Sequence, residues 1–595
     1  MRTTRALPLW FCAALALPSI AQTADPLEAS LRPQVTADGI PENIWVTDSM
    51  AKVQPNATPG SIRFADLSAA RNEYESFQIH LRAGDAPLEI SVSISDFVNA
   101  HTPDRIPANL NVAVLREAYL TVTTVSDLNG ISGLVPDALV PGTDPYFHET
   151  RNGFPLRVPA NETRSIWVDV YIPPKTPSGY YLATVTLNDG SKLLAKVPVR
   201  LAVWSFDLPA TASLKSAFGM GYPSFGYAAY GDYKGVAKYP GSKGSSEDAL
   251  ALMHAAAASF FLDHRVTVSG VILQPTYPAR QWKFFDQVYG PLLNGQAQTQ
   301  LAGAKLTSLS YPNGKGENTT DLKDYASHFA SKSWLSRFFV YQCDEPPAGC
   351  AWPTILSGAN AVHAAAPEVK TLVTTTIAAA RKNGVLDSID ILVPVVDYMH
   401  PMDGESQRAS YDDWLKDPRK ELWWYQSCDE HISCENGTPG PQTTWPSYMV
   451  DASPVRNRIF QWLAFAYRVQ GELYYQVDVW GDDPWDHLYY AGGNGDGALY
   501  YPGTPAKIGG STPIPVASIR LKLIRDGMED YEYLAALAKA GQSEIADRAI
   551  ASFITNAFTF KDDPAALRAA REQLGTALHK IGLTSGKTSS VSAAR

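Results

Sequence analysis

FFVYQCDEPPAGC (residues 338–350) is a run of apolar and aromatic residues that stops at two adjacent carboxylates, Asp344 and Glu345, followed by Pro346 and Pro347. A short apolar run bounded by turn residues reads as a buried strand. Like charges this close hold one proton between them or lean on a third group. The pattern predicts a strand that leaves a core and delivers two acids to one place.

Similar runs recur on both sides of it. LKSAFGM (214–220), VTVSGVIL (266–273), KLTSLS (305–310), TLVTTT (371–376), ILVPVV (391–396), ELWWYQ (421–426) and GELYYQV (471–477) complete a set of eight. Helical stretches such as EDALALMHAAAASFFLDHR and SPVRNRIFQWLAFAYRVQ lie between many of them. Eight strands alternating with helices predict a (β/α)₈ TIM-like barrel over residues 210–535. The amphipathic segment PVASIRLKLIRDGMEDYEYLAALAKAG is expected to close it as an outer helix, with Arg525 and Glu529 forming a surface or interface ion pair. A helical segment follows over 536–583, and the small polar residues of 584–595 predict a disordered tail.

The chain before the barrel has a different period. SFQIHL (76–81) places Phe77, Ile79 and Leu81 on one face, and LEISVSISDF repeats the alternation with Ile90, Val92 and Ile94. LATVTLNDGSKLLAKVPVRLAVW reads as a hairpin turning at Asn188-Asp189-Gly190. Short strands separated by Pro and Gly turns predict an antiparallel β-sandwich over residues 30–207. The fold class is thus multidomain, β followed by α/β.

Arg2 and Arg5 precede the apolar run ALPLWFCAALAL, and Ser19-Ile20-Ala21 offers small residues for cleavage. Residues 1–21 therefore read as a secretory signal peptide, which predicts export to the periplasm or the cell exterior and no membrane span in the mature protein. The net charge is −10, and without the signal 48 basic residues face 60 acidic ones. Such a chain repels nucleic acid and anionic membranes, so a neutral partner is expected. Cys343, Cys350, Cys428 and Cys434 remain after the signal is removed. Four cysteines allow three pairings; the short loops favour Cys343–Cys350 and Cys428–Cys434, while a cross-pairing would tie two distant loops together. Neither pair has the CxxC spacing of a zinc site.

In such a barrel the chemistry lies at the C-terminal strand ends. There the sequence places Tyr341, Asp344 and Glu345, then Asp397 and Tyr398, Trp424 and Tyr425, and Tyr475, Asp478 and Trp480. Sugar rings stack on flat aromatic faces, and carboxylates cleave glycosidic bonds, so these residues predict a glycan substrate. One tryptophan of the Trp423-Trp424 pair is expected to pack against outer helices. DVWGDDPWDH (478–487) carries four acids and a histidine; a polar loop binding sugar hydroxyls is preferred over a Ca²⁺ site. No motif calls for a cofactor, and the absence of a GxSxG elbow leaves a serine hydrolase without support.

ARNEYESFQIHLRA (70–83), RSIWVDVYIPPKTPSGYYLATVTL (164–187), YQCDEPP, GELYYQVDVW, GDGALYYPG (495–503) and SIRLKLIRDGMEDYEYL (518–534) together resemble glycoside hydrolase family 123 and its broader relatives of unknown function. The resemblance spans roughly residues 40–535. It implies an exo-acting retaining N-acetyl-β-galactosaminidase-like enzyme that uses the substrate's own 2-acetamido group as nucleophile. Glu345 is then the general acid and base, and Asp344 orients the acetamido group. The cysteines bracketing the pair depart from the family pattern. Two alternatives stand beside it: a two-carboxylate glycosidase in which Asp397 or Asp478 works with Glu345, and a carbohydrate-binding protein without catalysis.

Overall fold

The computed structural model describes residues 25–270, 281–428, 445–481 and 483–592, the last nine of these as backbone alone. The expected signal peptide, the end of VTVSGVIL, and Cys434 with its pairing to Cys428 lie outside the described residues.

Residues 44–207 form two sheets. The first runs in the order Ile44–Asp48, Glu73–Arg82, Thr163–Ile172, Val112–Val122, Gly133–Pro141, antiparallel throughout. The second has the main order Ala65–Arg71, Lys192–Asp207, Gly179–Asp189, Leu88–Ile94, Leu156–Val158. Phe77, Ile79 and Leu81 of the first share one apolar core with Val185, Leu187 and Val199 of the second, as the alternation requires. The predicted hairpin is present, with Gly190 at φ +56° in its turn. One pairing departs from the antiparallel expectation: Ala65–Arg71 runs parallel to Lys192–Asp207. Asn72, at φ +58°, carries the chain from Ala65–Arg71 into Glu73–Arg82 of the other sheet.

Seven parallel strands follow, in the order Lys215–Phe218, Gly471–Tyr474, Glu421–Tyr425, Ile391–Leu392, Lys370–Val373, Phe338–Cys343, Leu309–Ser310. The two edges nearly meet across residues 267–269. Phe218 N–H donates to the Thr267 carbonyl at 2.9 Å, Ser269 N–H to Phe218 at 3.2 Å, and Ser310 N–H to Ser269 at 2.8 Å. The sheet is therefore barrel-like and almost closed, with VTVSGVIL contributing an isolated bridge where a second strand is expected. Helices Ser246–Leu262, Thr319–Ser331, Trp352–Ala365 and Phe460–Ala466 lie between strands in sequence. Ser245 and Asn318 cap the first two by accepting N–H bonds from Asp248 and Asp321.

Helix Ile519–Lys539 is not an amphipathic outer helix. Sixteen of its 21 residues are buried, because it packs between barrel helices, the first N-terminal sheet and the last helix. Arg525 pairs with Asp169 of that sheet at 2.9 Å, and Lys522 with the same carboxylate at 2.8 Å. Glu529 pairs with Arg265 at 3.2 Å. In place of the expected Arg525–Glu529 surface or interface pair, each residue takes a different partner in a buried ionic seam. The last helix, Pro564–Ser592, runs into the segment read as a disordered tail. Among the described residues no helix is long and apolar enough to cross a membrane.

Candidate active site

Strand Phe338–Cys343 ends immediately before the two acids. Strict alternation would send Asp344 and Glu345 to opposite faces. Glu345 instead takes φ +43°, a left-handed conformation that costs about 1 kcal/mol or more in a non-glycine residue. That turn brings both side chains to one cavity of about 420 Å³ at the C-terminal strand ends. Cys343 and Cys350 are disulfide-bonded and close the loop that carries the pair. Gly349 lies so near it that an added Cβ would meet the Asp344 carbonyl oxygen at 1.9 Å.

Each acid is held through one oxygen. Asp344 Oδ1 accepts from Tyr341 Oη at 2.6 Å and from Thr374 Oγ1 at 2.9 Å. Thr374 Oγ1 in turn accepts the Glu345 N–H at 2.7 Å. Tyr425 Oη donates to Glu345 Oε1. Burial, reinforced by the charge of Asp344, pushes the Tyr341 hydroxyl well above its ordinary pKa, so it stays a donor. Among the described residues neither Asp344 Oδ2 nor Glu345 Oε2 takes part in a hydrogen bond. Asp344 is exposed and Glu345 half-buried, so the second oxygens face the cavity and its solvent.

The rest of the cavity combines apolar and aromatic side chains with small polar ones, Ser269, Ser310 and Ser427. Ala217, Phe339 and Leu473 are buried beneath it, Tyr474, Tyr475 and Gln476 form one wall, and Tyr490 stands at the rim. No lysine, arginine or histidine is among its described lining residues, and no acid besides Asp344 and Glu345.

Tyr341, Tyr425 and Tyr475 thus line one cavity with the two acids, while the other sequence candidates lie elsewhere. Trp424 is fully buried on the opposite face of its strand, stacked on Phe460 at 4.7 Å; Trp423 points inward against Phe339. Trp480 packs on Tyr500 and donates its indole N–H to the Tyr500 carbonyl at 2.9 Å. Asp397 and Tyr398 sit on the short helix Val396–Met399, outside the lining. Burial pushes the Asp397 carboxyl up to about 6. Asp478 lies behind the wall: it accepts from Gly221 N–H at 3.1 Å and from Gln476 Nε2 at 2.5 Å, and burial pushes it up to about 6. Among the described residues no group of three or more His, Cys, Asp or Glu side chains is arranged to hold a metal ion.

Thr374, Gln476 and Tyr490 are among the site residues that sequence reasoning missed. Thr374 lies inside the predicted strand TLVTTT (371–376), whereas the observed strand Lys370–Val373 stops just before it. Tyr490 lies well beyond any predicted strand end.

Residues 296–537 match the model of the glycoside hydrolase 123 catalytic domain, and residues 50–189 match the glycoside hydrolase 123 N-terminal domain. Among solved structures the chain is similar to a family 123 glycoside hydrolase from Clostridium perfringens, studied for glycolipid glycan hydrolysis. Identity is 13%, over 92% of this chain and 99% of that one, with a TM-score of 0.65. A family 39 glycoside hydrolase from Bacteroides cellulosilyticus WH2 matches at 11% identity, over 72% and 78% of the two chains, with a TM-score of 0.29. A Bacteroides ovatus GH5 xyloglucanase matches at 11% identity, over 82% and 100%, with a TM-score of 0.24. No curated protein matches the sequence. With both of its regions matched by the two domain models of a single family, the chain belongs to glycoside hydrolase family 123 and is a glycosidase.

Proposed function

We propose that this enzyme is an exported, exo-acting, retaining N-acetyl-β-hexosaminidase, galactosaminidase-like, in which the substrate's 2-acetamido group is the nucleophile. The architecture that goes with it is a β-sandwich followed by a (β/α)₈ barrel. One observation carries the reading. The cavity is lined by two adjacent carboxylates and by no third acid among the described residues. Ordinary retaining and inverting glycosidases place their acids on opposite sides of the scissile bond, about 5–9.5 Å apart. Asp397 and Asp478, the other candidates for that second position, do not line the cavity. A nucleophile supplied by the sugar removes the need for one.

Each held acid has one oxygen free for its task. Glu345 Oε2 gives its proton to the leaving oxygen as the glycosidic bond breaks. Asp344 Oδ2 accepts the acetamido N–H, which aims and polarises the amide so that its oxygen attacks the anomeric carbon. The resulting oxazolinium is opened by water, whose proton returns to Glu345, and the configuration is retained. Tyr341 and Thr374 fix Asp344, and Tyr425 fixes Glu345, so little reorganisation accompanies charge transfer.

The lack of basic residues among its described lining fits a neutral sugar. A cavity of about 420 Å³ falls at the small end for ligand pockets and suits one sugar unit, in keeping with exo action. Export is supported by Arg2, Arg5 and the apolar run behind them, and by the Cys343–Cys350 disulfide, which suits an oxidising compartment.

The test is release of aryl leaving groups from β-linked sugars with and without the 2-acetamido group, comparing wild type with Glu345→Gln. Turnover confined to acetamido sugars and lost in the variant is expected. Turnover of sugars lacking the group would move the nucleophile to another carboxylate, and no turnover at all would leave a glycan binder.

A further inference from the structure

Tyr490 lines the cavity that holds both acids, yet it is 51% exposed. A single exposed tyrosine needs no explanation by itself. Its mounting is what sets it apart. Tyr489–Tyr490 pairs with Gly493–Asn494 in a two-stranded hairpin whose first strand faces solvent and whose second strand is buried. Asn494 N–H donates to Ser126 Oγ at 2.8 Å, and Asn494 Nδ2 to the Thr124 carbonyl at 2.8 Å. Ser126 is itself fixed, its N–H and Oγ both donating to the Asp451 carboxylate at 2.6 Å. On the other side Val450 N–H donates to the Asn494 carbonyl at 2.8 Å. Gly493 lies against Met449, where an added Cβ would meet Sδ at 2.6 Å. The hairpin is therefore clamped between the N-terminal region and the 450 loop, and it presents an aromatic ring at the mouth of the site.

The direction of the reaction says what passes that ring. Ala217, Phe339 and Leu473 close the inner end of the cavity, so the ring that loses its glycosidic bond occupies that end. Its leaving oxygen meets Glu345, and whatever is attached to that oxygen leads outward past the rim. We propose that Tyr490 is the platform on which the leaving-group sugar stacks, and hence that the preferred substrates carry a second sugar there rather than a small alcohol. This rests on the hexosaminidase reading. The apolar face of a pyranose meets the face of a phenol ring, and the clamped hairpin spares most of the entropy of ordering it. Ser126 and Asn494 act as positioning residues for the platform.

The experiment compares kcat/KM for two substrates that share the 2-acetamido sugar: a β-linked disaccharide, and the β-glycosyl azide, which has no sugar on the leaving side. Tyr490→Ala is expected to cut kcat/KM on the disaccharide about tenfold more than on the azide, mainly through KM, and Tyr490→Phe to restore most of the loss. Asn494→Ala should reproduce the same skew by loosening the hairpin. An equal fall on both substrates, or no fall on the disaccharide, overturns the platform. A wild-type enzyme that cleaves neither substrate overturns the hexosaminidase reading instead, and the two failures are separable.

Discussion

The hydroxyl of Thr374 donates to Asp344 Oδ1 at 2.9 Å, tying the end of one barrel strand to the acid that follows its neighbour. The same oxygen accepts the Glu345 N–H, so one side chain fixes the spacing of both carboxylates. Thr374→Val keeps the shape and removes the donor and acceptor. Its kcat is expected to fall about 10- to 100-fold with KM nearly unchanged, because misplacement acts on the transition state more than on binding. Thr374→Ser should recover most of the rate. A loss confined to KM, or one that Ser does not rescue, would show that Thr374 only packs.

Gly349 touches the acid loop from within the disulfide-closed segment. An alanine methyl there would lie 1.9 Å from the Asp344 carbonyl oxygen, which is backbone and cannot swing away. Gly349→Ala is therefore expected to displace Asp344 and Glu345 and lower kcat at least tenfold. Its circular dichroism spectrum should stay that of the wild type, since the strain is local to one loop. Full activity in this variant would mean that the loop relaxes freely.

Stability should depend on pH through Asp478. Burial raises its carboxyl from 3.8 to about 6, so between those values the folded state keeps a proton that the unfolded chain has lost. Stability then falls as pH rises through that window, by at most about 3 kcal/mol, and levels off above it. In Asp478→Asn the slope between pH 4 and 6 should be smaller by one proton. Urea unfolding at several pH values measures it, and an unchanged slope would place the titration elsewhere.

Asp169 is the shared counter-ion of Arg525 and Lys522, and all three are buried or nearly so. Burial alone would raise its carboxyl, but the two cations outweigh that and hold it well below the usual range. Asp169→Ala leaves two buried cations without it and is expected to cost roughly 3–5 kcal/mol. Guanidinium unfolding checks this; a loss under 1 kcal/mol would mean that Asp526 takes over Arg525 and water reaches Lys522.

Much of this was legible in the chain because local rules governed it. Phe77, Ile79 and Leu81 alternate as a half-buried strand must, and the apolar run 338–343 stops where its carboxylates begin. Tyr341, Tyr425 and Tyr475 were placed by being at or near a strand end. Trp424 was misread because alternation within ELWWYQ leaves the choice between neighbours to a contact with Phe460, distant in sequence. Asp478 was read as facing substrate, whereas a bond from Gly221, more than 250 residues earlier, turns it away. The burial of Arg525 and Glu529 was hidden for the same reason: their helix looks solvated until the sheet that covers it is known. Tyr490 reaches the site because Asn494 of its hairpin bonds to Thr124 and Ser126, which no local pattern announces.

The ionic seam along helix Ile519–Lys539 also bears on how this protein could be recombined. Asp169 belongs to the early sheet, and Lys522 and Arg525 to a helix 353 and 356 residues later, with the whole barrel-like sheet between them in sequence. A fragment beginning after the sheet would carry two stranded cations, and a sheet grafted from a relative would have to bring a carboxylate to the same spot. The heritable unit is therefore the sheet together with helix Ile519–Lys539, not either piece alone.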